Sequence, residues 1–178
     1  NMALGSKAEQ RKWWLYNRFR YIDSKYNAGD ALTDVITLRG YAKDNITVTP
    51  YATIYPAVKY GSYLVTERGQ RDVATTLVCP LDNINDTEIY IYSASQLSSI
   101  GDISGLKVGL ADLSAATKLQ TLKIGDAGGS YSNANLYSLT LGNNTLLKTI
   151  DARNCIGLGD PSREGHTQTS VDISGCSN

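Results

Sequence analysis

Apolar and polar positions follow three different rhythms along this chain. Near the start, Leu15, Phe19 and Ile22 fall at i, i+4 and i+7, with Trp14, Arg18 and Tyr21 beside them. That spacing predicts an amphipathic helix. Ser6 followed three residues later by Glu9 forms a capping box at its start, and "NAGD" (Asn27 to Asp30) supplies a stop. From Asp34 to about Gln96 the rhythm shortens to two. "DVITLRGYA", "NITVTPYATIYPAVKYG", "SYLVTERG", "DVATTLVCP" and "TEIYIYSASQL" are β-branched and aromatic, with turn residues between them. In the last run Ile89 and Ile91 are expected on one face, with Tyr90 and Tyr92 on the other. Pro50 and Pro56 interrupt the second run and mark it as an edge or irregular strand. Short strands at this spacing predict a small antiparallel sheet or sandwich, with the first helix packed on or beside it.

After Gln96 the pattern changes again. The stretch "LYSLTLGNNTLLKTIDARNC" carries Leu136, Leu139, Leu141 and Asn144 in the order L-x-x-L-x-L-x-x-N, and Leu147, Ile150, Ala152 and Cys155 fill the same slots eleven residues on. "LQTLKIGDA" (Leu119, Leu122, Ile124) and "QTSVDISGC" (Val171, Ile173, Cys176) share the template, and "LSSIGDISG", starting at Leu97, is a weaker fifth copy. In a leucine-rich repeat a short strand contributes the L-x-L pair to a shared core, and an Asn or Cys then tucks inside to satisfy or fill the turn. An ordinary β-sandwich with Leu-rich strands would explain the alternation, but not the Asn or Cys that follows it in three windows. The expected fold is therefore α+β, mainly β with an N-terminal helix: a basic, aromatic helix over 1–30, an antiparallel β domain over 31–96, and a leucine-rich-repeat-like solenoid over 97–178. Asn144, Cys155 and Cys176 would form its internal ladder. Its core would be Leu119, Leu122, Ile124, Leu136, Leu139, Leu141, Leu147, Ile150, Val171 and Ile173. Because the pattern still runs at Asn178 with no capping segment, further repeats are expected beyond it in a larger polypeptide.

Composition removes several function classes. Seventeen basic and seventeen acidic side chains cancel, so whole-chain charge points to no polyanionic partner. The distribution is uneven: between Asn1 and Tyr26, the cations Lys7, Arg11, Lys12, Arg18, Arg20 and Lys25 face only Glu9 and Asp23. Cations interleaved with aromatics suit nucleic acid, but here the aromatics sit at core spacing. Trp13, Trp14 and Phe19 are better taken as docking residues, either onto this fold or onto a neighbouring domain. Three cysteines and the single His166, without a C-x-x-C, make neither a zinc site nor a disulfide framework. The cysteines are expected to act as small apolar residues, and no cofactor or metal is expected. No apolar run approaches the roughly 18 residues that a membrane-spanning helix needs, and the opening residues lead to no expectation of a secretion signal. The sequons at Asn45, Asn85 and Asn143 are expected by chance in a chain this rich in Asn and Thr.

Catalytic constellations find little support. "LDNINDTE" (Leu81 to Glu88) places Ile84 where a calcium loop needs a ligand, so it is taken as a polar turn. His166 lies near Asp160, Arg163 and Glu164, but without a nucleophile elbow. "GDAGGS" is followed by no Lys-Ser/Thr of a phosphate loop. Two inserts, Ile156–Thr167 and "GGSYSNAN" (Gly128 to Asn135), are longer than the repeat demands and are the expected ligand-facing loops.

Two resemblances give these observations a setting. The repeat is similar to the bacterial cell-surface leucine-rich-repeat adhesin type, with strands on both sides of each coil and about 21 residues per turn. "MALGSKAEQRKWWLYNRFRYIDSKY", "ITVTPYATIYPAVKYG" and "CPLDNINDTEIYIYSASQLSSIGDISGL" together resemble a segment of very large virion or tail-associated structural proteins of gut bacteriophages, in which this region leads into leucine-rich-like repeats. The second resemblance covers essentially the whole chain and defines no catalytic or binding residues. It implies a non-enzymatic piece of a phage structural protein, located in the virion. Such a piece would dock on neighbouring domains of its parent chain and present an extended surface to host-cell protein or carbohydrate. The alternatives are a bacterial surface or secreted adhesin, a glycan-degrading tail enzyme that uses the tyrosine-rich half to stack sugars, and a purely structural connector. The enzyme would need paired carboxylates at a cleft, and surface turns explain Asp102, Asp112 and Asp126 equally well.

Overall fold

The computed structural model describes Arg11 and residues 34–82, 84–125, 136–155 and 157–158. The chain divides into two compact units, Asn1–Thr33 and Asp34–Asn178, and the fold described here is that of the second. The expected N-terminal helix, with Trp13, Trp14 and Phe19, lies outside the described residues, as do Val171, Ile173, Cys176, His166, Asp126 and almost all of both inserts.

Eleven strands are described: β1 Val35–Ala42, β2 Ile46–Pro50, β3 Ala57–Tyr60, β4 Tyr63–Thr66, β5 Thr75–Leu77, β6 Ile84–Tyr92, β7 Leu97–Ile100, β8 Leu110–Asp112, β9 Thr121–Lys123, β10 Ser138–Thr140 and β11 Thr149–Asp151. Short 3-10 turns occupy Ala94–Gln96 and Ser104–Leu106. The strands form two sheets, in the orders β10-β8-β1-β6-β3-β4 and β11-β9-β7-β2-β5. In the first, β3 pairs antiparallel with β4 and β6, and β1 with β6 and β8, before β10 adds parallel to β8. In the second, β2 pairs antiparallel with β5 and β7, and β9 and β11 then add in parallel.

This overturns the expected fold class of an antiparallel domain followed by a solenoid. Both sheets are mixed and run through the expected boundary between Gln96 and Leu97. Among the described residues no solenoid closes and no helix reaches seven residues. The physical reason is that a sheet edge recognises backbone. The change from aromatic to Leu-rich side chains at Leu97 does not alter the N–H and C=O groups that β1 and β7 present, and β8 and β9 satisfy them directly. The Leu-rich strands also bury more apolar surface by joining an existing core than by starting another. The result is one continuous core, in which Ile36, Leu38, Val58, Ile89 and Ile91 share a cluster with Ile46, Val48, Leu77, Leu97, Ile100, Leu113, Leu119, Leu122 and Leu139.

Period-two patterning holds well in β6. Ile89 and Ile91 are fully buried, while Tyr90 and Tyr92 are half-buried on the opposite face. Of the two expectations for the run containing Pro50, an edge or an irregular strand, the structure has the second. The strand β2 lies between β5 and β7, and Pro50 is its last residue, where the β2–β7 pairing shifts register. Such a place tolerates a missing N–H. In β6, Asp86 adopts a left-handed backbone (φ 49°) beside the irregularity opposite Gly40–Ala42. Its carboxylate takes a two-point ion pair from Arg39 on β1, at 2.7 and 2.9 Å, which holds the Asp86 carboxyl below its usual range.

Tyr60 ties the two sheets together. It belongs to β3 of the first sheet, and its fully buried hydroxyl reaches between β2 and β5 of the second. The Ile46 N–H donates to this hydroxyl at 3.1 Å, and the hydroxyl donates to the Leu77 carbonyl at 3.1 Å. Burial pushes the phenol pKa far up, so it remains a donor at all ordinary pH values.

Candidate binding surface

The repeat residues set the geometry of the Leu-rich half. Successive strands alternate between sheets: β7 in the second, β8 in the first, then β9, β10 and β11. Ser138 stands opposite Leu110 and Thr149 opposite Thr121, the same step along the chain in both sheets, whereas Ser99 opposite Thr121 is a shorter one. Gly142, just after β10, has a φ of 62°, a conformation open to glycine. A methyl there would come within 2.8 Å of the Ser114 Cα, its counterpart one such step earlier.

Leu119, Leu122, Ile124, Leu136, Leu139, Leu141 and Leu147 are all buried. Ile150 departs from the expected core, with 38% exposure. Among the described residues β11 is the last strand of its sheet, so Ile150 has a strand neighbour on one side only. Asn144 is fully buried, and its Nδ2 donates to the Ala116 carbonyl at 2.5 Å. Ala116 is the same position one step earlier, so this bond joins equivalent turns. The Asn144 Oδ1 has no hydrogen-bond partner among the described residues. Cys155 is buried, with its thiol 3.9 Å from the Ile124 carbonyl. Burial raises the pKa of both Cys155 and the half-buried Cys79, which makes neither a ready thiolate.

Asn144→Ala is expected to cost about 1 kcal/mol in urea unfolding, since it removes one of two bonds to the Ala116 carbonyl, which keeps the Leu119 N–H at 3.0 Å, and also removes an Oδ1 with no partner among the described residues. A loss several times larger would show that Oδ1 is bonded in solution.

Of the carboxylates considered for glycan hydrolysis, Asp126 lies outside the described residues, and Asp102 and Asp112 are employed in turns, as is Asp151. Asp102, Asp112 and Asp151 each accept the backbone N–H two residues on, from Ser104 (3.0 Å), Ser114 (2.9 Å) and Arg153 (3.2 Å). This is the Asx turn, a side chain imitating a backbone acceptor. Asp102 also pairs with Lys123. Burial pushes its carboxyl upward, but hydrogen bonds from Lys123 and Ser104 outweigh that and hold it low. Arg153 grips Asp151 at 2.9 and 2.7 Å and brings its pKa down to about 2. Asp112 ends β8 of the first sheet, and Asp102 lies two residues beyond the end of β7 in the second. In the stretch weighed for calcium, Glu88 accepts the Tyr90 hydroxyl at 2.6 Å, and no group of three potential metal ligands occurs among the described residues. Among those residues no helix is long and apolar enough to cross a membrane.

The outer face of the second sheet carries a feature that the sequence patterning left unnoticed. Thr49 stands opposite Ser99, Ser99 opposite Thr121, and Thr121 opposite Thr149. Four hydroxyl side chains therefore line up across β2, β7, β9 and β11, at the roughly 4.8 Å spacing of strands. Thr121 and Thr149 are exposed, and Thr49 and Ser99 half-buried. Beside them Thr47 and Thr76 share a hydrogen bond between hydroxyls at 3.0 Å. One margin of the row carries Tyr51, with Lys118 and Arg71 4.9 and 5.5 Å from its ring centroid. The opposite margin carries the charged set Asp102, Lys123, Asp151 and Arg153. Each hydroxyl can both donate and accept, so such a row suits a ligand that is itself rich in hydroxyls. A signal was present in the sequence: a Ser or Thr immediately precedes the central apolar residue of every repeat window, at Ser99, Thr121, Ser138, Thr149 and Ser170.

No protein-family model, curated protein or solved structure matches the chain.

Proposed function

We propose that the chain is a non-enzymatic structural and recognition module of a large phage tail or virion protein, and that the outer face of its second sheet contacts host-surface carbohydrate. The observation that carries this reading is the in-register hydroxyl row Thr49–Ser99–Thr121–Thr149. A sheet fixes these groups without an ordering cost at the moment of binding, which favours weak but repeatable contacts with sugar hydroxyls. The charged margin at Lys123 and the cation-flanked Tyr51 opposite it would keep the chain of sugars on the row between them. The phage setting is supported by the sequence resemblance, and neighbouring domains of the parent chain are the other expected partners.

The test is binding of the purified protein to bacterial cells and to a glycan array. Thr121→Val with Thr149→Val keeps the β-branched shape and removes two hydroxyls. Binding should fall roughly tenfold or more, at about 1 kcal/mol per hydrogen bond. Undiminished binding by the double variant, or a loss only when residues 156–167 are trimmed, would move the site to the loops. Hydrolysis of a surface glycan by the unmodified protein would refute the non-enzymatic part.

A further inference from the structure

We propose that the protein self-associates by antiparallel pairing of its β5 edge with β5 of a second copy, about a two-fold axis at Thr76. Among the described residues β5 is the last strand of the second sheet and pairs with β2 alone. The Tyr60 bridge shows that the Ile46 N–H and the Leu77 carbonyl face one another across β2 and β5. The Cys79 N–H also points to that side, donating to the Asn45 Oδ1 at 2.9 Å. Backbone groups alternate in direction along a strand, so those of Ala74, Thr76 and Val78 point to the free edge. None of them has a hydrogen-bond partner among the described residues.

Free edges are usually guarded by charge, by proline or by a covering element. This one is not. The run Val73–Pro80, "VATTLVCP", contains no charged residue before Pro80 closes it, and Val73 and Val78 are 50% and 58% exposed. A closed two-fold contact requires a surface complementary to itself. With Thr76 opposite Thr76, Ala74 of one copy meets Val78 of the other, and the Thr47–Thr76 hydroxyl pair continues across the axis into its symmetry mate. The charges outside the run set the direction. Arg71, ion-paired with Asp72 at 3.1 Å, precedes it and Asp82 follows it, so antiparallel pairing brings Asp82 of one copy toward the guanidinium of that pair in the other. Parallel pairing would set Asp82 against Asp82.

The experiment is sedimentation velocity on the full chain from about 1 µM to 1 mM, with hydrogen exchange at both extremes. A concentration-dependent monomer–dimer equilibrium is expected, with the Thr76 and Val78 amides slowed at the high end. Val78→Lys adds charge to the edge, and Thr76→Pro removes an N–H that has no partner among the described residues; each should weaken association at least tenfold. A thermal melt of each variant checks folding, and should Thr76→Pro fail to fold, Val78→Lys alone decides. A chain that stays monomeric at 1 mM, or a dimer that Val78→Lys leaves intact, overturns the proposal.

Discussion

Gly125→Ala is expected to destabilise the protein by about 3 kcal/mol and to detach β11 first. The Ile124 and Gly125 N–H groups both donate to the Asp151 carbonyl, at 2.9 and 2.8 Å, and so pin the end of β9 to the end of β11. A methyl at Gly125 would lie 2.5 Å from the Ala152 carbonyl carbon and overlap the Arg153 backbone. The obstruction is backbone rather than the tip of a movable side chain, so relief requires the two chain segments to separate. For a protein of this size the loss corresponds to a fall in Tm of roughly 6–12 °C. Hydrogen exchange should show the Ile124 and Gly125 amides opening well before those of β1 and β6. An unchanged Tm would mean that these segments lie farther apart than described.

The second large effect is expected at Tyr60. Tyr60→Phe keeps the ring in the core but leaves the Ile46 N–H and the Leu77 carbonyl without the hydroxyl that joins them. Leaving buried polar groups unsatisfied costs about 1–3 kcal/mol, and about 2 kcal/mol is expected here, measured by urea unfolding. Tyr63→Phe is the control: Tyr63 opens the neighbouring strand β4, is 54% exposed, and should change stability by no more than about 0.5 kcal/mol. Equal stabilities for the two variants would show that β2 and β5 close into a direct Ile46–Leu77 bond once the hydroxyl is gone.

How far the fold could be anticipated depends on which atoms decide each feature. The side-chain alternation in β6 and the burial of Leu119, Leu122, Ile124, Leu136, Leu139, Leu141 and Leu147 follow from apolar periodicity, which the sequence displays directly. What periodicity could not show was where the sheets would end. The change of composition near Gln96 suggested a boundary, but strand pairing is made by backbone, and β1 and β7 accept β8 and β9 regardless of side-chain type. Pro50 left two readings open for a related reason. A proline at the last position of a strand withdraws no needed N–H, so β2 can be central and irregular rather than an edge. The candidate surface was half legible. The hydroxyl before each central apolar residue was in the sequence, but only the register of β2, β7, β9 and β11 turns it into one row.

The strand order also dictates an order of assembly. The first sheet cannot acquire β10 before β8, nor β8 before β1, and β1 itself waits for β6, with four strands between them in the chain. The second sheet likewise gains β9 only after β7, and β11 only after β9. Each later strand is templated by one already placed, in the direction in which a ribosome delivers them. The long-range β1–β6 pairing is therefore the expected slow step, with the Leu-rich strands expected to add to both sheets after it.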